Sequence, residues 1–220
     1  MIKAVIFDFD GTLVDSVWVW KKVDDIFLSK RGLAVPEDLH QSIAGKSFSE
    51  TAALFKERFG LTETTDAIKE EWLEISNSLY MQNVLLKPHV LETLDWLRKH
   101  SILCAIGSSN NRETIENICK QQGILQYFSC IITSCEAGKG KPAPDLFLAI
   151  AKKLQIEPSE MLVVDDIVEG IIGGKRAGMF TIGIYDQYYH NETELRNQAD
   201  CYLTDISDII PCIEKQKYKI

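Results

Sequence analysis

Apolar residues follow two rhythms along this chain. Short unbroken runs fall within 2–8, 102–107, 130–133, 161–165 and 180–184, and Cys201-Tyr202-Leu203 is a shorter sixth. Runs that do not alternate with polar residues suit strands buried on both faces of a parallel sheet. Between them, apolar residues recur at helical spacing. Val90, Leu91, Leu94 and Leu97 share one face. Ile115, Ile118 and Cys119 share another, with Gly123 as a stop. Leu146, Phe147, Ile150, Ala151 and Leu154 form a third, opened by Pro144 at a first-turn position. Strand–helix alternation predicts an α/β fold with a doubly wound parallel sheet.

Residues 16–84 break that alternation. They carry helical stripes and no strand. Ile68, Trp72, Ile75 and Leu79 are spaced for one apolar face, and Ala52, Phe55 and Phe59 for another. Ser47 to Glu50 reads as a capping box, and Gly60 as a stop. The expected organisation is a core from residues 1–15 and 85–220, with 16–84 as a small α-helical cap inserted after the first strand. Leu86-Lys87-Pro88 is the expected hinge, and a helical module beside a binding crevice is placed to act as a lid.

Composition narrows the partners. The 220 residues are 45% hydrophobic and 25% charged, ordinary globular usage. A net charge of -8 disfavours a nucleic-acid partner. No apolar run is long enough to span a membrane, and the first strand begins with no signal segment ahead of it. The six cysteines form no Cys-x-x-Cys pair, and the four histidines sit at no metal-ligand spacing. Buried reduced thiols, a cytoplasmic location and a monomer are expected.

Four segments carry chemistry, each just after a strand or at a helix start. Asp8 and Asp10 follow the first strand, where open α/β sheets bind ligands. Two carboxylates so close repel unless a cation lies between them, and Mg²⁺ prefers such oxygen ligands. Gly107-Ser108-Ser109-Asn110 leads into a helix, and either caps it or holds an anion there. Lys139-Gly140-Lys141-Pro142-Ala143-Pro144-Asp145 is either a basic loop or a restrained ammonium suited to phosphate. It lacks the spacing of a Walker A loop. Asp165-Asp166 ends the fourth strand, where packing does not explain a carboxylate pair.

Taken in order, Asp8-Phe9-Asp10-Gly11-Thr12-Leu13-Val14-Asp15-Ser16, then Ser108, then Lys141-Pro142-Ala143-Pro144-Asp145, then Asp165-Asp166 resemble the four motifs of the haloacid dehalogenase superfamily. The likeness runs from residue 2 to about 186. It is greatest to the branch of β-phosphoglucomutase and small sugar-phosphate or phosphoglycolate phosphatases. The resemblance implies that Asp8 is the nucleophile, forming an aspartyl-phosphate, and Asp10 the general acid and base. It implies that Ser108, Ser109 and Lys141 bind the phosphoryl group. Asp8, the backbone carbonyl of Asp10, and Asp166 would hold Mg²⁺, with Asp165 beside its water shell. Asp10 favours phosphoryl transfer over dehalogenation, because a chloride leaving group needs no proton.

The likeness to the mutases fails at two places. Trp20 stands where that branch carries a cap histidine. Gly45-Lys46-Ser47-Phe48 stands where it carries Gly-x-Ser-Arg, so Phe48 replaces the arginine that grips a second phosphate. Trp18, Trp20 and Phe48 suggest an apolar or ring-stacking substrate pocket, with Lys46 as a weaker anion contact. Ile167 stands where relatives commonly have serine. The expectation is an enzyme: a Mg²⁺-dependent phosphatase acting on a small phosphorylated metabolite. A phosphomutase and a non-catalytic phosphometabolite-binding protein are the alternatives.

Overall fold

The computed structural model describes residues 1–189 and 191–216. One of the four histidines, His190, lies outside them. The six expected strands form one parallel sheet. They are β1 (Ala4–Phe7), β2 (Leu103–Ser108), β3 (Phe128–Thr133), β4 (Met161–Asp165), β5 (Phe180–Ile184) and β6 (Cys201–Leu203), in spatial order β3-β2-β1-β4-β5-β6. The first strand is shorter than the expected 2–8, and the chain bends at Phe9, two residues past its end.

β1 lies between β2 and β4, with Val5 opposite both Cys104 and Leu162. From β1 the chain winds outward to β2 and β3, then crosses back to β4, β5 and β6. The reversal beside β1 opens a crevice at the carboxyl ends of β1 and β4, where sheets of this kind take their ligands.

Both faces of β1 are buried, as its unbroken apolar run requires. Val5 and Phe7 join one apolar cluster with Ile106, Leu162 and Val164. Ala4 and Ile6 point the other way, toward Leu146, Phe147 and Val163. Helices cover the two faces. They are α5 (Val90–Lys99), α6 (Arg112–Gln121), the short α7 (Ser134–Ala137), α8 (Asp145–Leu154), α9 (Val168–Arg176), α10 (Glu192–Gln198) and α11 (Ile209–Gln216). Here α1 to α4 are kept for the helices that precede them.

Those four helices fill the segment between β1 and α5 and add nothing to the sheet. They are α1 (Val17–Ser29), α2 (Leu39–Ile43), α3 (Phe48–Arg58) and α4 (Thr65–Asn83). The Ser47–Glu50 capping box forms at the start of α3. Phe55 packs 4.8 Å from the Trp72 ring centroid and 6.0 Å from that of Phe27. Aromatic pairs of this kind add about 0.5–1.5 kcal/mol each beyond the area they bury. The α4 stripe differs from its expected face. Ile68, Trp72, Ser76 and Tyr80 are buried, a strict i, i+4 row, whereas Ile75 and Leu79 are only half-buried.

The segment leaves and rejoins the core through two paired strands of chain. Asp15 N–H donates to the Leu85 carbonyl at 3.0 Å, and Lys87 N–H to the Leu13 carbonyl at 3.0 Å. The thiols depart from expectation: Cys104 and Cys119 are buried, but Cys135 is exposed at the start of α7. No described helix is long and apolar enough to cross a membrane.

Candidate active site

Asp8 follows β1, Asp165 ends β4, and Asp166 comes next. These neighbouring strand ends bring the three carboxylates together, each offering an oxygen within 4.8 Å of the others. Lys141 reaches them from the loop before α8. Its Nζ lies 2.6 Å from Asp165 Oδ2 and 3.0 Å from Asp8 Oδ1. The contact with Asp165 is a directed hydrogen bond. The contact with Asp8 is an ion pair without that direction, so Asp8 Oδ1 is buried with no hydrogen-bond donor. Asp166 accepts from the Thr12 hydroxyl at 3.2 Å.

The electrostatics are unbalanced. One ammonium faces three carboxylates, which leaves two negative charges uncompensated. Burial alone would lower the Lys141 pKa, but Asp165 and Asp8 hold it above its ordinary value, so it stays cationic. Burial pushes Asp166 well up, and the charges of Asp8 and Asp165 push it further. Burial also pushes Asp165 up, more than Lys141 pulls it down. Three buried carboxylates, one with an unpartnered oxygen, fit a hard divalent cation.

Glycine makes the crowding possible. Gly11 adopts φ +75, and a Cβ there would lie 2.3 Å from Asp166 Oδ2. Gly170 on α9 approaches as closely from the other side, where a Cβ would fall 1.9 Å from Asp165 Oδ2.

Asp10 turns away from this cluster. Its Oδ1 accepts from the hydroxyls of Ser16 and Tyr80, and its Oδ2 from Asn110 Nδ2 at 2.8 Å. Asn110 also donates to the Tyr80 oxygen at 2.9 Å. Burial raises the Asp10 pKa against the pull of these donors. Burial likewise raises Tyr80, as does the Asp10 charge. Asp10 is therefore a carboxyl biased toward its protonated form and fixed by three side chains. Ser16 and Asn110 belong to segments the sequence singles out, but Tyr80 comes from the far end of α4 and carries no such signal.

The remaining expected residues mostly line one cavity of ≈ 220 Å³ between the strand ends and α1 to α4. Ser108 is buried on its wall, and its Oγ accepts from Asn110 N–H. It does not cap α6, because Asn111 does so by accepting from Glu113 and Thr114 N–H. Ser109 is also on the wall, but its hydroxyl donates to the Gly45 carbonyl at 3.1 Å and so ties the insert to the core. Trp20, Lys46, Phe48 and Ile167 all reach the cavity. Trp18 does not line it and instead donates from Nε1 to the Asp15 carbonyl at 3.1 Å. With Ile167 in place of serine, α9 begins without a side-chain cap, and Val168 N–H donates to the Tyr189 hydroxyl at 3.3 Å.

Trp72 and Asp24 line the cavity without belonging to any of the motifs. Trp72 closes an aromatic wall with Phe48, their centroids 5.5 Å apart, while Trp20 stands 5.7 Å from Phe48 on its other side. Asp24 of α1 also faces the cavity. The insert touches the lysine loop as well: Glu50 Oε2 accepts from Ser47 N–H at 2.7 Å and from Gly140 N–H at 3.0 Å.

Known proteins resemble this chain in sequence and in fold. Residues 2–178 match the family described as haloacid dehalogenase-like hydrolase. A bifunctional riboflavin kinase/FMN phosphatase of Arabidopsis thaliana is 31% identical over 94% of this chain, which spans 54% of that longer protein. A β-phosphoglucomutase of Bacillus subtilis is 29% identical over 83% of each chain. Among solved structures, CbbY of Rhodobacter sphaeroides in complex with phosphate superposes with a TM-score of 0.84. It is 19% identical and covers 95% of this chain and 96% of its own, a likeness of fold.

Proposed function

We propose that this chain, which belongs to the haloacid dehalogenase-like hydrolase family, is a Mg²⁺-dependent phosphatase of small phosphomonoesters, with a sugar phosphate or similar metabolite as substrate. The observation that carries the reading is the division of labour between two carboxyls one residue apart. Asp8 has a buried oxygen with no donor beside Lys141, and Asp10 is held separately by three donors, where burial favours its protonated form against their pull.

The family resemblance supplies the roles, and those placements support them. Lys141 and Ser108 receive the phosphoryl oxygens. A carboxylate oxygen of Asp8 attacks phosphorus and the ester P–O bond breaks, leaving an aspartyl-phosphate. Asp10 gives its proton to the departing alkoxide. Asp10 then takes a proton from water as that water attacks the phosphorus of the aspartyl-phosphate. Inorganic phosphate leaves and both carboxyls return to their starting states. Asp8, the Asp10 carbonyl and Asp166 would hold Mg²⁺, with Asp165 beside it. When bound, the ion offsets the negative charge of carboxylates and phosphoryl oxygens. Residues 16–84 serve as a cap over this chemistry, and the protein acts as a monomer.

A mutase must grip a second phosphate. The place where the resemblance would put its arginine is Phe48, packed edge to face between Trp20 and Trp72. That wall offers no bidentate donor, so hydrolysis is favoured over transfer back to a second hydroxyl. The test is phosphate release with Mg²⁺ from sugar phosphates, nucleotides and phosphoglycolate, set against Asp8→Asn. Turnover lost with that variant supports the reading, and turnover retained by it defeats the reading. Conversion of β-glucose 1-phosphate to its 6-phosphate, primed with bisphosphate and without phosphate release, would replace it with the mutase.

A further inference from the structure

We infer that the cavity selects phosphomonoesters whose far end carries a cationic nitrogen, held by Asp24 against the aromatic wall of Trp20, Phe48 and Trp72. The inference rests on the phosphatase reading for the phosphate end and adds the chemistry of the other end.

Asp24 is 4% exposed, lines the cavity, and accepts no hydrogen bond from any described residue. Its Oδ2 is a buried acceptor without a donor. The nearest cationic candidate is His40, whose Nδ1 stands 3.6 Å away. Burial and the nearby Lys21 charge lower the His40 pKa against the pull of Asp25, and so favour its uncharged form. The other charge acting on Asp24 is a second carboxylate, Asp25. Lys46 also reaches the cavity, but its charge acts on Glu50. A buried carboxylate stays ionised only where something pairs it, and Asp24 lines the cavity, where a ligand would supply that partner.

The surrounding surface points to the same ligand. Aromatic faces attract a desolvated cation, and the attraction grows as water is excluded. Trp72 Nε1 is a second buried polar atom without a partner, so an oxygen beside the nitrogen would be held too. A hydroxyl alone could accept from Trp72 and donate to Asp24, but it does not hold ionised a carboxyl that burial pushes up to about 7, whereas an ammonium does. At ≈ 220 Å³ the cavity lies below the ~300–1,000 Å³ of drug-sized pockets. Amino-alcohol and amino-sugar phosphates suit that volume.

Matched pairs of esters isolate the claim. Phosphoethanolamine is compared with 2-hydroxyethyl phosphate, and glucosamine 6-phosphate with glucose 6-phosphate, at neutral pH and fixed ionic strength. The expected kcat/KM ratio favours the amine by at least about tenfold, the size of one charge-assisted hydrogen bond. Asp24→Asn should bring the ratio to within about twofold of one. This variant is isosteric and removes a buried charge, so it folds. The same pairs are titrated calorimetrically into wild-type protein without divalent cation, where no turnover is needed. Selective binding without hydrolysis of any ester would sink the catalytic reading and keep this one. Hydrolysis with equal preference for both members, or a preference that survives Asp24→Asn, would overturn this one and leave the catalytic reading standing.

Discussion

The hydroxyl of Tyr80 donates to Asp10 Oδ1, so the last turns of α4 hold the carboxyl that follows β1. Asn110 braces both residues from the far wall. Tyr80 is 1% exposed and stacks edge to face on Trp20, which fixes its ring as well as its oxygen. Asp10 is thus oriented by a helix that contributes nothing to the sheet.

Tyr80→Phe keeps the ring and removes the donor. We expect kcat to fall about tenfold, a fraction of what general acid–base catalysis supplies, with KM within about twofold of wild type. Equal losses in kcat and in thermal midpoint would instead assign Tyr80 to packing alone.

Asp24 makes stability depend on pH with the opposite sign to a salt-bridged aspartate. Burial, reinforced by Asp25, lifts its pKa from 3.8 to about 7. The native state then binds more protons than the unfolded one between those values, so stability falls as pH rises through that window and levels off above it. The upper bound is on the order of 4 kcal/mol. Asp24→Asn should therefore melt with wild type near about pH 4 and several degrees above it near about pH 8. A variant that melts below wild type at the higher pH would refute the assignment.

Lys141 is 3% exposed between two carboxylates. Lys141→Met strips both of their partner. Breaking a buried pair on one side costs about 3–5 kcal/mol. Chemical denaturation should show an unfolding free energy lowered by that amount, as a reduced midpoint at an unchanged m-value, together with loss of turnover. A stability equal to wild type would mean that the carboxylates are protonated.

Mg²⁺ should raise the thermal midpoint of the wild-type protein. A ligand at a hundred times its dissociation constant adds about 2.7 kcal/mol, or roughly 5–10 °C for a chain of this size. Asp166→Asn should abolish the rise, and sodium at matched ionic strength should not produce it. An equal rise in the variant would move the cation elsewhere.

Much of this was legible in the chain, for reasons that can be traced residue by residue. The unbroken runs located the strands, and β1 and β4 did so for a plain reason: strands buried on both faces cannot alternate. The edge strands β3 and β6 are only partly buried, and their runs are correspondingly shorter. Asp8, Asp165 and Asp166 were readable because buried carboxylates at strand ends have few packing explanations. What stayed hidden depends on register between distant helices. Ser76 interrupts the buried row of α4, so the apolar periodicity pointed to Ile75 and Leu79 and away from Tyr80. Asp24 has the look of a solvated helix residue beside Asp25, and only the fold turns it inward. Trp18 and Trp20 are indistinguishable by composition, yet one faces the cavity and the other bonds to the chain beside it.

Glu50 gives the two halves of the molecule a shared latch. One oxygen closes its own helix at Ser47 and grips the amide of Gly140, the residue before Lys141. Were the helices to lift to admit a substrate, that amide would be released, and reseating them would restore it. Entry and charge placement would then be one event, because the gate could not swing without loosening the backbone that aims the ammonium.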